Sequence, residues 1–371
     1  MRNRSERARV LIAYPFLMHY RRSVFLKLDN SPNLDLTFAA SPGDSLGVKA
    51  LSSNEVRKFV SAPVKRWKSF QWQRKAIDLA LFGKFDAVVF LGDWASISTW
   101  IAAAILRGRQ IPVLFWTIGW HRPEAGIRRF VRLLFYRLAD ELLLYGEIGR
   151  NLGIAQGYPS GRMRVVFNSV EPSPGELSPS IAALANSLHE QEVVGAVARL
   201  SPTKQFTLLL RAVAELNQRT SRDLTVLLVG EGPARDALFR LARKLGVRLV
   251  MPGAAYSAHD LDLVYSLLAV TVVPSAVGLT AIQSLAHGVP VISDDDVYSQ
   301  GPEWEAIRQG CTGGVYPKRD LLALTDELDR WLQRVESEPV QVASACKEEV
   351  DRRWTATGQA TLIEEAIFDH L

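Results

Sequence analysis

Cysteine is scarce in this chain. Cys311 and Cys346 are the only two among 371 residues, and their separation matches no metal-ligand spacing. That excludes a zinc or disulfide framework and points to a reducing, cytosolic compartment. Long apolar runs are lacking as well: the longest, residues 87–106, is interrupted by Gly92-Asp93 and reads as strand, turn and helix rather than a membrane span. The basic start MRNRSERAR leads into RVLIAYPFLMHYRR, which is too short and too aromatic for a secretory leader and reads as a first buried strand. The turn after that strand, residues 15–22, has no glycine. Low-complexity tracts are missing, as are internal repeats beyond two similar α/β halves. Residues 57–75 contain no acidic residue at all.

What is present is an ordinary globular composition, 48% hydrophobic and 22% charged, in a length that suits two domains. The net charge of +5 hides an asymmetry. Residues 1–170 hold 26 Lys/Arg against 12 Asp/Glu, net +14, and the remainder holds 18 against 27, net −9. The first half is therefore expected to meet something anionic, a membrane surface or a nucleic acid. Residues 57–75 place seven Lys/Arg among two Trp and two Phe, and residues 126–137 set arginines beside Phe130, Leu133, Leu134 and Tyr136 at helical spacing. Both segments suit an anionic bilayer surface; a solvated face and an amphipathic core helix are the plainer readings. The Pro/Ser-rich stretch around EPSPGELSPS marks a linker at 171–190, after which strands and helices alternate, the pattern of a parallel sheet covered on both faces.

Two stretches concentrate the chemistry. In VVGAVARLSPTKQFT an apolar strand breaks at Ser201-Pro202 and leaves Arg199 and Lys204 flanking the turn, two fixed cations at a strand's carboxyl end that suit a diphosphate. In PSAVGLTAIQSLAHGVPVI a strand ends at Pro274, Gly278 allows close backbone approach, and a helix opens at Thr280 with unpaired N–H groups. With TVLLVGEGP between them, these motifs resemble the retaining glycosyltransferases of family 4. The resemblance is good over Val193 to Leu332 and in outline only before residue 170. It implies an α/β GT-B fold of two Rossmann-like domains facing each other across a cleft: an acceptor-binding domain at 1–170, a nucleotide-sugar domain at 191–340, and a helical segment at 341–371 packing back on the first.

The resemblance implies sugar transfer, with retention, from a nucleotide-diphosphate sugar to a glycan or lipid-linked acceptor, in polysaccharide or glycoconjugate biosynthesis, by a hexosyl- or deoxyhexosyltransferase. It implies no metal and no cofactor beyond the donor; the Asp294–Asp296 run reads as a solvated loop. The donor site would comprise Arg199, Lys204, Gly230, Ser275, Gly278, Leu279, Thr280, Gln283 and Glu303. Ser275 and Gln283 occupy the positions where the family has paired glutamates, so this is a divergent member. Gln283 retains an amide for a ribose hydroxyl, though a carboxylate accepts more bonds. In the first domain Asp93 and His121 lie at strand ends that face the ligand crevice of an open parallel sheet and are the catalytic candidates there, with Arg199 and Lys204 in the second. Arg21 and Arg22 are expected to offer charge where the family's glycine loop is missing. A cytoplasmic protein, peripheral on the inner membrane face and without a nucleic-acid partner, is the expectation. Two other readings stand beside it: a catalytically silent nucleotide-sugar-binding homologue, and a nucleic-acid-binding protein.

Overall fold

The computed structural model describes residues 7–44, 49–172 and 174–371; most of the basic N-terminus, part of the loop at 41–47 and Ser173 of the expected linker lie outside the described residues. The chain forms two compact units, one up to Glu171 joined by Thr355–Leu371, the other Pro172–Trp354.

The first unit begins with β1 (Ala8–Ala13), α1 (Arg22–Asp29), β2 (Leu34–Ala40), β3 (Phe59–Ser61) and a short hairpin of β4 (Lys65–Trp67) and β5 (Phe70–Trp72). It continues through α2 (Arg74–Phe82), β6 (Ala87–Leu91), α3 (Ile97–Gly108), β7 (Val113–Thr117), α4 (Gly126–Tyr136), β8 (Glu141–Leu144), α5 (Glu147–Ala155) and β9 (Met163–Val165). Seven strands pair in the order β3-β2-β1-β6-β7-β8-β9, every neighbour parallel. The central strands β1, β6 and β7 read as nearly continuous apolar runs because both faces are covered. Along β1, Val10 and Ile12 enter one core, while Leu11 and Ala13 enter the other.

The second unit runs α6 (Pro179–Leu188), β10 (Glu192–Val197), α7 (Phe206–Arg219), β11 (Leu224–Val229), α8 (Arg235–Leu245), β12 (Arg248–Val250), α9 (Ala258–Leu267) and β13 (Val270–Val272). Then come α10 (Thr280–Ala286), β14 (Val291–Asp294), β15 (Gly313–Tyr316), α11 (Leu321–Ser337) and α12 (Pro339–Arg353). Its six parallel strands are ordered β12-β11-β10-β13-β14-β15. The order reverses between β10 and β13, and ligands of open α/β sheets bind outside the strand ends at such a switch point.

Two expected boundaries need correction. The 171–190 linker is not wholly loop: α6 starts with Pro179 after Ser178 and buries Ile181, Leu184 and Leu188 in the second unit's core. Their spacing is that of one helical face. The C-terminal segment at 341–371 is two helices assigned to different units. A break at Trp354–Thr355, where the Thr355 hydroxyl accepts from Gly358 N, starts α13 (Ala356–Phe368). α12 stays with the second unit, and α13 returns to the first, placing Ile363 and Ile367 in the core beside Val24 and Phe25 of α1.

Candidate functional site

In the second unit the loops after β10 and β13 flank the switch point. The β10 loop ends in a single 3-10 turn, Pro202–Lys204, stopped by Gln205 in a left-handed conformation. Arg199 stands exposed at its start. Its backbone is laid against Gly230-Glu231-Gly232: Ala198 N donates to Val229 O and Leu200 N to Glu231 O. A Cβ on Gly230 would sit 2.0 Å from Ala198 O, so this glycine supplies the close backbone approach that fixes Arg199 rather than an obvious ligand contact of its own.

Lys204 turns inward. Its Nζ donates to Ala276 O at 2.6 Å and Val277 O at 3.2 Å. Burial lowers its pKa to about 8, against the pull of the Glu303 carboxylate. The carbonyls of the β13 loop thus point at the ammonium. On the other side of the same turn, the N–H groups of Gly278, Leu279 and Thr280 donate to no backbone carbonyl among the described residues. These are the orphan donors of a helix start, which favour anions. The Thr280 hydroxyl donates to Val197 O at 2.8 Å, clipping the start of α10 to the end of β10.

The turn needs two left-handed residues, Ala276 at φ +53° and Gly278 at φ +59°. For alanine that conformation costs about 1 kcal/mol, so it is held by its surroundings. Val277 N donates to Gln300 Oε1 at 2.8 Å, and Gln300 Nε2 donates to Asp294 Oδ1 at 2.6 Å and Ser293 Oγ at 3.0 Å. Gly301 leaves the space for Glu303: a Cβ there would lie 2.5 Å from Glu303 Oε2 and 3.3 Å from Gly278 Cα. Glu303 is buried. Ser275 is buried too, its Oγ 3.5 Å from Ser299 Oγ, and Gln283 is half-buried on α10.

Asp294 corrects the sequence reading of the Asp294–Asp296 run as solvated. It is fully buried, its Oδ2 has no hydrogen-bond partner among the described residues, and burial raises its pKa against the hydrogen bond from Gln300. Gln300, Asp294 and Ala276 escaped sequence reasoning. A carboxylate at the end of β14 and an amide six residues on carry no periodic signal, and only the fold buries them together.

In the first unit the candidates lie at the carboxyl ends of adjacent strands, Asp93 after β6 and His121 after β7. Both carboxylate oxygens of Asp93 are used: Oδ1 accepts from Ala95 N at 3.0 Å and Oδ2 from Gln71 Nε2 at 2.9 Å. His121 is exposed as a residue, yet desolvation of its ring, then the Arg132 and Arg122 charges, keep its pKa below the usual histidine value. Arg132 is itself held by both oxygens of Glu124, at 2.7 and 2.8 Å. Arg21 and Arg22 do not offer free charge as expected. Arg21 is buried against the rings of Trp116 and Tyr145, 5.0 and 4.4 Å from their centroids, and Arg22 pairs with Glu55.

Residues 191–334 match the family model of the group 1 glycosyl transferases. Among curated proteins, a D-inositol 3-phosphate glycosyltransferase of Frankia alni is 33% identical over 202 residues, 51% of this chain and 48% of that protein. The Rhodococcus opacus protein of the same name is 35% identical over 188 residues, 47% of this chain and 40% of the relative. The chain spans about half the length of the curated relatives it matches, or less. Among solved structures, Anabaena HepE in complex with UDP aligns with a TM-score of 0.74 at 14% identity, covering 98% of this chain and 100% of that one. The lipopolysaccharide outer core galactosyltransferase WaaB aligns with a TM-score of 0.71 at 16% identity, with coverage of 98% and 100%. The chain has their two-domain, parallel-sheet GT-B fold.

Proposed function

We propose that the protein is a glycosyltransferase that moves a hexosyl or deoxyhexosyl group from a nucleotide-diphosphate sugar to a glycan or lipid-linked acceptor, with retention and without a metal. One observation carries the reading. At the switch point of the second sheet, the Lys204 ammonium and three orphan N–H groups at Gly278–Thr280 converge on one turn, beside exposed Arg199. As the bond from sugar to diphosphate breaks, negative charge grows on the departing diphosphate, and preorganised cations and N–H dipoles stabilise that charge most in the transition state. The group 1 glycosyl transferase match over this segment and the UDP bound to HepE support a nucleoside diphosphate there, with uridine the first base to test. Gln283 and Glu303 are assigned to the nucleoside and donor sugar, with Ser275 in place of a carboxylate. His121, neutral at physiological pH, is assigned to a sugar hydroxyl. Asp93 holds its loop and the hairpin in position. The relatives' names, which specify an inositol phosphate, support an acceptor bearing negative charge, as does the basic first half.

The test is a thermal-shift series with UDP, GDP, ADP and TDP and their sugars, run on the wild type, Arg199→Ala and Lys204→Ala. A nucleotide at about 100 times its Kd stabilises by roughly 2.7 kcal/mol. A shift selective for one nucleotide and lost in both variants is the expected result; no shift with any nucleotide would sink the reading. Ser275 and Gln283 favour one second reading, a silent homologue that binds the donor without turning it over. Nucleotide binding with no transfer or donor hydrolysis across an acceptor panel would establish that instead.

A further inference from the structure

Surface helices of globular proteins turn their apolar stripe inward. α4 does so only in part, burying Phe135 in the core and packing Leu133 against it. The rest of the side that meets the protein is polar: Arg132 grips Glu124, Arg129 donates to Gln156 O at 2.9 Å, and the Tyr136 hydroxyl donates to Gly119 O at 3.0 Å. The stripe at positions 127, 130 and 134 points outward, Ile127 81% and Phe130 64% exposed, with Leu134 exposed beside them. Arg122, Arg128 and Arg137, in α4 and just before and after it, are exposed and form no ion pair among the described residues. An apolar strip left uncovered on a segment that also carries unpaired cations is unusual for a protein surface without a partner.

The neighbouring elements continue the pattern. α2, α3 and α4 all cover the same face of the first sheet, and Trp100 of α3 packs on Phe135 of α4 at 4.9 Å. α3 exposes Ile97 and Ile101, one turn apart. Against the start of α3 lies the β4–β5 hairpin, Gln71 N donating to Ala95 O at 3.0 Å. That hairpin holds out Trp67, 71% exposed, and Phe70 among Lys65, Arg66 and Lys68. Tryptophan settles at headgroup depth, and Lys/Arg near an anionic leaflet contribute favourably one by one.

We propose that this face of the first unit docks on an anionic bilayer, with the Ile127-Phe130-Leu134 stripe of α4 entering the acyl boundary and the hairpin seated among headgroups. The occupant is a lipid surface rather than a protein groove or a nucleic acid, because bare apolar side chains and cations are interleaved along helices and hairpin alike. Phosphate backbones would meet the cations but leave the apolar stripe exposed to water. No helix among the described residues is long and apolar enough to cross a membrane, so the contact is peripheral. It deepens the transferase reading by placing a lipid-linked acceptor within the surface on which the first unit rests.

Co-sedimentation of the full chain with phosphatidylcholine vesicles, with and without phosphatidylglycerol, tests this. Vesicles containing phosphatidylglycerol should carry the protein down. The triple variant Ile127→Ser/Phe130→Ser/Leu134→Ser should bind about tenfold more weakly or worse, with its melting temperature and nucleotide response unchanged. Trp67→Ser, on the separate hairpin, should weaken binding on its own. A triple variant that sediments like the wild type would overturn the proposal. So would a wild type that ignores vesicles while binding RNA, or while forming a dimer that the triple variant does not. The nucleotide shift is read in parallel, so failure here leaves the transferase reading standing, and loss of that shift leaves the docking face standing.

Discussion

Lys204 pays for its position. The ammonium has been drawn out of water and bonded to two carbonyls of the β13 loop, which leaves its pKa at about 8 rather than the ordinary 10.5. Two pH dependences of opposite sign follow. The folded protein holds this proton less tightly than the unfolded chain, so the stability of the unliganded protein rises as pH increases from about 8 toward the unfolded value. A diphosphate selects the charged form, so nucleotide affinity falls as pH rises through the same window. Lys204→Arg keeps its charge across that range and should flatten the affinity profile. Lys204→Met removes the charge that a diphosphate selects and should abolish the nucleotide response. Titration calorimetry with UDP across this window is the measurement; an affinity profile with the same slope in wild type and Lys204→Arg would show that another group governs it.

At the scale of elements, the Pro274–Leu279 turn is the part that has to be held. Its left-handed alanine survives because Gln300 ties Val277 N to the buried Asp294, whose other oxygen has no partner among the described residues. Gln300→Ala would orphan Val277 N and remove the strongest bond to Asp294, costing about 3 kcal/mol at neutral pH. Asp294 has its pKa raised by burial and lowered by Gln300, so the variant raises it further. A raised carboxyl pKa favours the fold at low pH and loses that advantage as pH rises through the folded value. The cost of Gln300→Ala should therefore shrink on mild acidification, and nucleotide affinity should drop because the orphan N–H groups lose their fixed aim. Urea unfolding at neutral and mildly acidic pH checks the first; an equal cost at both would remove Asp294 from the account.

For the molecule as a whole, what the sequence disclosed divides along the range of the interactions. Parallel strands buried on both faces announce themselves as apolar runs, so the two sheets were readable, and Ser201-Pro202 announced the turn that separates Arg199 from Lys204. The Ile181, Leu184, Leu188 helix was hidden behind its proline and serines, although its spacing was there to be seen. The Asp294–Gln300 brace was not legible, nor was which side of the amphipathic α4 turns outward, since each depends on which side the tertiary fold presents. The division of the tail at Trp354–Thr355 belongs with these. α13 completes the first unit: Gln359 donates to Phe167 O at 2.6 Å and accepts from Ser169 Oγ at 2.7 Å, and Ile363 and Ile367 are fully buried. Each buried isoleucine contributes about 1.5–3 kcal/mol, so the pair is comparable to the lower end of a typical domain's net stability, about 5–15 kcal/mol. Truncation after Trp354 should therefore open the first unit to proteolysis and lower its melting transition, while the second unit, with its own core and its own phosphate turn, keeps its response to UDP. A truncated protein that resists proteolysis like the full chain would mean that the first core closes without α13. Loss of the UDP response together with that transition would mean that the second unit depends on the first.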